Sequence, residues 1–246
     1  MARPAALKPR TTAPRKPASR KPRAVRMGSR SEVRERTATV VERLRVEYPR
    51  AECALVHANP LQLLVATILS AQCTDERVNL VTPSLFARYP TARAFAEADP
   101  ADLELMIMPT GFFRAKTRSI LGCTRRLVDV YGGEVPPRME DLVTLAGVGR
   151  KTANVVLSVD FNLPGFPVDT HVTRLTRLLG LTRNTDAVKI ETDVTAMVAP
   201  EDWGDFGLRL IMHGRAVCVA RKPNCPGCVL NDICPSSSVL RSGPAG

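Results

Sequence analysis

The sequence predicts an all-α protein. Three observations carry that expectation. Apolar residues recur at helical spacing through most of the chain, helix-start and helix-stop residues bracket those runs, and no run alternates apolar and polar residues as a half-buried strand would. Hydrophobic residues fill 44% of the 246 positions, enough for a folded core.

Ser29 and Glu32 have the pattern of a capping box, after which Val33, Val40, Val41 and Leu44 form one stripe. Asn59 before Pro60 reads as a cap followed by a first-turn proline. Leu61, Leu63, Leu64, Val65, Ile68 and Leu69 then make a helix apolar nearly all round, as a helix in mid-core must be. Thr74 or Asp75 caps the next helix, which Pro83 should kink or break for want of an N–H. Asp99 and Pro100 open a short helix, and a long one runs from Ala115 to Tyr131, stopped by Gly132 and Gly133. Further helices are expected over 138–145, 151–159, 169–179 (ended by Gly180), 186–199 and 205–219, with fraying from about Ser236.

Charge is concentrated in a tail. The net charge is +11, but residues 1–30 hold ten Lys or Arg and no acid, leaving 25 basic and 24 acidic residues in the other 216. A Pro-, Ala- and Arg-rich segment of this kind is expected to be disordered and to suit phosphate backbones. It also fits a solubilising leader, an upstream start ahead of Met27, or an organelle transit peptide. No stretch approaches the ~20 apolar residues that span a bilayer, and no secretory h-region is present, so no membrane partner is expected.

Of seven cysteines, Cys53, Cys73 and Cys123 are scattered and read as core thiols, whereas Cys218, Cys225, Cys228 and Cys234 crowd into 17 residues. An odd count with one tight cluster indicates a metal site in a reducing compartment rather than a disulfide framework. Four such thiolates suit tetrahedral zinc or a [4Fe–4S] cube. His57, His171 and His213 form no metal set with them, and His213 reads as a satisfied helix histidine.

The stretch from Leu145 to Asn154 is more specific. A short helix ends, Gly147, Val148 and Gly149 make a tight turn, and a helix begins near Arg150. Free N–H groups at that helix start favour an anion such as a DNA phosphate. The whole stretch closely resembles the helix-hairpin-helix motif of the endonuclease III family, with Ala146 where the family usually has proline. The cysteine spacing is similar to that family's C-terminal cluster loop. The resemblance covers about residues 31–235, and it, not the spacing, selects an iron–sulfur cluster over zinc.

The resemblance also bears on Lys151 and Asp169, 18 residues apart, which match the family's catalytic lysine and aspartate. A lysine amine is a nucleophile only when neutral, and a helix start and partial burial both disfavour its ammonium form. Such an amine attacks the sugar C1′, displaces the base and leaves an imine that permits β-elimination of the 3′ phosphate. By implication Asp169 activates Lys151 and stabilises charge developing on the sugar. Without the family, a phosphate contact for Lys151 and a helix cap for Asp169 would come first.

A glycosylase must extrude its target nucleotide and fill the hole. The resemblance gives that filling role to Gln72, in the segment after the first core helix, and the wedge to Phe112, where many relatives carry Leu. Lys116 reads as a solvated charge. Arg150 and His171 are expected at DNA beside the hairpin and Asp169. Arg221 and Lys222, held between Cys218 and Cys225, are expected to dock on phosphates.

Together these imply two helical lobes flanking a DNA cleft: a central domain over 53–163, and a cluster domain combining 31–52 with 164–240. The implied activity is a bifunctional DNA glycosylase and abasic-site lyase acting as a monomer on oxidised pyrimidines in duplex DNA, in a bacterial cytoplasm. The adenine-mismatch branch shares hairpin, aspartate and cluster but lacks the lysine and carries a further C-terminal domain not expected here. A non-catalytic DNA-binding relative is disfavoured by the Lys151 and Asp169 pair.

Overall fold

The computed structural model describes residues 27–242. The segment 1–26, and with it the expected DNA contact of the tail, lies outside the described residues. Among the described residues every regular element is helical, and no helix is long and apolar enough to cross a membrane.

Helix α1 (Arg30–Glu47) begins inside the segment expected to be disordered, because Ser29 and Glu32 form the capping box. Helix α2 (Pro60–Leu69) is capped by Asn59 and buries Leu63 through Leu69. Helix α3 (Asp75–Arg88), capped by Thr74, continues through Pro83, so of the expected kink or break the break does not occur. Pro83 is on the exposed side, while Val78, Val81, Thr82 and Leu85 are buried on the other. An interior proline costs ~3 kcal/mol; each buried Val or Leu contributes ~1.5–3 kcal/mol, so packing prevails.

Helix α4 (Ala92–Ala96), started by Thr91, has no counterpart in the sequence reading. Its five residues are too few to show a period. Helix α5 (Pro100–Ile107) is capped by the Asp99 carboxylate, and a 3-10 turn, Met108–Thr110, follows. Helix α6 (Phe113–Tyr131) ends on a left-handed Gly132. Helix α7 (Met139–Leu142) is half the expected length, because turns take over at Val143. Then come α8 (Arg150–Val159), α9 (Thr170–Leu178), α10 (Ala187–Thr195), α11 (Trp203–Ala216) and α12 (Ser238–Ser242) where fraying was expected.

Two apolar cores result. One gathers Leu64, Leu69, Leu103, Ile120, Leu127 and Val156 from α2, α5, α6 and α8. The other joins Val40 and Leu44 of α1 to Leu175, Ile190, Leu210 and Phe166, whose ring stacks 6.0 Å from Phe206. The segment 160–169 leaves α8 and carries the chain from the first core to the second. It is pressed onto α8: the Asn154 amide donates to the Phe166 carbonyl at 3.1 Å, and a Cβ added at Gly165 would lie 2.6 Å from the Asn154 carbonyl oxygen. Arg215 of α11 and Asp75 of α3 pair at 2.8 Å as a second tie.

Gly165→Ala therefore forces backbone against backbone. Urea unfolding should show a loss of ~1–3 kcal/mol, as overpacking does elsewhere, and an unchanged midpoint would mean the segment can lift off α8.

Candidate active site and nucleic-acid interface

The hairpin between α7 and α8 is anchored by buried Val148, whose N–H donates to Leu145 at 3.1 Å. Its two glycines differ. Gly147 has φ +77°, and an added Cβ would strike Ser119 of α6 at 2.6 Å. Gly149 has an ordinary φ of −93°, no neighbour within 4 Å, and no side chain capping α8. Its glycine is not demanded by the fold. It leaves open space before uncapped N–H groups, the arrangement that accepts an anion.

Arg150 departs from expectation. Its guanidinium donates twice to Glu191 of α10, at 2.7 and 2.8 Å, and that bond raises its already high pKa. Arg150 thus braces α8 against α10 rather than standing free for a phosphate. A bidentate pair on a carboxylate only 12% exposed is a strong, oriented contact.

Lys151, the second residue of α8, is exposed, so the partial burial expected for it is not supplied by the protein. Asp169 is half-buried and caps α9, accepting from the Val172 N–H at 2.7 Å. The two helix starts are related through Asn154, one turn along α8 from Lys151, and Phe166, three residues before Asp169. His171 packs against Gly214 of α11, and its Nδ1 is buried without a hydrogen-bond partner.

Gln72 and Phe112 share a distinctive geometry. Both are exposed, Phe112 at 65%, and both hold positive φ, +53° and +47°, which is strained for residues with a Cβ. Lys116 was read as a solvated charge and is instead 4% exposed. Its Nζ donates to the carbonyls of Leu69 at 2.7 Å and Thr110 at 2.8 Å. Burial pushes its pKa down.

Cys218, Cys225, Cys228 and Cys234 line one apolar cavity of about 90 Å³ between α9, α11 and the C-terminal loop. Burial pushes the Cys218 and Cys228 thiols up and that of Cys234 up to about 11. Among the described residues no three His, Cys, Asp or Glu side chains are close enough to hold a single ion. His213 is satisfied, with Tyr48 Oη at 3.1 Å from Nδ1 and Cys228 Sγ at 3.4 Å from Nε2, and burial lowers its pKa to about 4. Arg174 Nη2 donates to the Gly214 and Cys218 carbonyls. Arg221 and Lys222 are exposed, and Lys222 has φ +62°. Of the scattered thiols only Cys123 is fully buried, its pKa pushed up to about 12; Cys53 and Cys73 are partly buried against the first core.

The sequence reading missed the roles of Lys116, Asn154, Arg174 and Glu191. Each acts on a partner distant in sequence, for which a single chain offers no local signal. The one available hint was Asn154, an amide on the apolar stripe of a short helix.

Comparison with known proteins bears on this arrangement. Residues 65–200 match the model of the HhH-GPD superfamily of base excision DNA repair proteins. Endonuclease III of Synechocystis sp. is 53% identical over 205 residues, spanning 83% of this chain and 94% of that one. Endonuclease III of Bacillus subtilis is 44% identical over 188 residues, 76% and 86% of the two chains. A solved non-covalent endonuclease III–DNA complex superposes with a TM-score of 0.81 at 38% identity, covering 85% of this chain and 98% of that one. A trapped endonuclease III–DNA covalent intermediate superposes with a TM-score of 0.80 at 39% identity, with the same coverage.

The two hairpin glycines should separate by experiment. Gly149→Ala should leave the unfolding midpoint nearly unchanged yet weaken duplex binding about tenfold, since a methyl group would enter the anion's space. Gly147→Ala should cost stability too, by roughly 1–2 kcal/mol for a Cβ in the left-handed region. Equal effects on stability would contradict the assignment.

Proposed function

The chain belongs to the endonuclease III family of the HhH-GPD superfamily, and from that membership we propose how its own residues perform the reaction of a DNA glycosylase and abasic-site lyase. The observation that carries the reading is the linkage of two helix starts through the Asn154–Phe166 bond: exposed Lys151 just past an open anion site on α8, and Asp169 capping α9.

The phosphate backbone docks at the N–H groups before α8, and the target nucleotide leaves the stack. The space between the two apolar cores is the DNA cleft, with Gln72 filling the vacated position and Phe112 wedging between bases. Bound DNA supplies the burial that Lys151 lacks in the free protein. Asp169 accepts a proton from the Lys151 ammonium, and the neutral amine attacks C1′. As the C1′–N bond breaks, the base leaves and takes the proton held by Asp169; the amine's second proton passes to the ring oxygen as the sugar opens to a protonated imine. A base such as the Asp169 carboxylate takes the C2′ proton, the 3′ phosphate leaves by β-elimination, and water hydrolyses the imine to release Lys151. A covalent DNA intermediate was trapped with the endonuclease III whose fold this chain shares, which supports a route through a protein–DNA bond. The preferred substrates are oxidised pyrimidines and abasic sites in duplex DNA, attacked by a monomer in a bacterial cytoplasm. His171, two residues past the Asp169 cap, is the remaining candidate DNA contact on this helix start.

Cys218, Cys225, Cys228 and Cys234 would hold a [4Fe–4S] cluster. The donor set fits: four thiols around an apolar cavity, with the Arg174 guanidinium at the Cys218 carbonyl. Metal ligation deprotonates thiols that burial otherwise keeps neutral. When bound, the group would cross-link the ends of the loop 219–224 and so hold Arg221 and Lys222 toward phosphates.

Two measurements test this. Borohydride added to a reaction on a thymine-glycol duplex should trap a covalent adduct with wild type and none with Lys151→Ala, whose turnover should fall at least about a thousandfold, as nucleophile deletions do. Asp169→Asn preserves the cap, since asparagine caps as well as aspartate, and should still lower single-turnover rates by ~10²–10⁴. Trapping by Lys151→Ala would overturn the mechanism. For the cluster, purified protein should be brown, absorb near about 400 nm and carry about four irons per chain; Cys225→Ser should lose iron. A colourless protein with stoichiometric zinc would refute it.

A further inference from the structure

We propose that Lys116 is a positioning residue that locks the Gln72 and Phe112 loops into one rigid wedge, so that both side chains enter the duplex together. This rests on the reading of those two residues given above.

Lys116 is 4% exposed, and among the described residues no carboxylate pairs with it. A buried ammonium without a counter-charge is costly and is retained only where its donors are needed. Its donors go to two carbonyls. Leu69 is the last residue of α2, three before Gln72; Thr110 ends the 3-10 turn, two before Phe112. Both carbonyls belong to helix C-terminal ends, which leave acceptors unsatisfied and carry partial negative charge. One cation therefore caps two helix ends and fixes their separation.

Each loop continues directly into a left-handed residue, Gln72 or Phe112, a conformation from which a residue with a Cβ tends to relax unless its neighbours hold it. With the Leu69 and Thr110 carbonyls bound to one nitrogen, neither loop can shift without the other. Helix α6 extends the device. One turn past Lys116, Ser119 touches Gly147, so the wedge and the hairpin that grips the phosphate are set on the same rod. Wedge and grip then act at a fixed spacing.

The test is single-turnover base excision from a thymine-glycol duplex, set beside strand cleavage at an abasic site in single-stranded DNA, where nothing must be displaced. Lys116→Met should slow the duplex reaction about ten- to a hundredfold, the effect of losing charge-assisted bonds to two buried carbonyls, and the single-strand reaction less than about threefold. The sharper readout is coupling. In the Lys116 background the effects of Gln72→Ala and Phe112→Ala should be non-additive; with Lys116→Met they should add. If that variant does not fold, Lys116→Gln, which can reach one carbonyl but not both, should give an intermediate loss with reduced coupling. Equal losses on both substrates, or coupling that survives the substitution, would overturn the proposal. If Gln72→Ala and Phe112→Ala leave duplex excision unchanged, the wedge reading itself fails and takes this proposal with it. Wedge variants that slow excision beside a Lys116→Met variant that does not would sink only the role of Lys116.

Discussion

The protein's two halves are held in register by a backbone contact that admits no side chain. Gly165 lies against the Asn154 carbonyl, and the Asn154 amide closes onto Phe166. Through that contact the first core, built around α2 and α8, fixes the approach of α9, which belongs to the second. The starts of α8 and α9, which carry Lys151 and Asp169, are thereby held at a constant separation with neither side chain fully buried.

A second constraint concerns which cations are free. Arg150 is committed to Glu191, Arg215 to Asp75, and Lys116 to two carbonyls. The open N–H groups before α8 and the exposed Lys151 carry no such commitment. Neutral donors of fixed direction suit a phosphate by geometry rather than by charge. Gly149 keeps an empty foreground, whereas Gly147 answers both to a left-handed φ and to the close approach of Ser119.

Much of this was legible in the chain. Ser29, Asn59, Thr74, Asp99 and Asp169 announced helix starts because a cap acts within three residues of itself. The cysteine spacing and the hairpin were equally local. What escaped depends on distance. The carbonyl partners of Lys116 lie 47 and 6 residues away, and Glu191 lies 41 residues from Arg150. A lysine between a loop and a long amphipathic helix looks solvated until α2 is packed beside it. Pro83 misled for the opposite reason: the local rule was sound, but burial along the rest of α3 outweighed it. The family resemblance pointed to Lys151 and Asp169; it did not indicate that the protein alone leaves Lys151 uncovered.

Phe112 protrudes in the free protein, already bent into the backbone form from which an inserting ring would act. A protein that slides along intact DNA with such a ring extended presses it against every base step it crosses. Well-stacked steps resist it, while steps loosened by damage yield, since stacking free energies of a few kcal/mol separate the two. Were Phe112 to press on the duplex in this way, travel along sound sequence would meet a small, constant drag and pauses would fall where the helix is weakest. Discrimination would then begin as friction, before any base reaches a pocket.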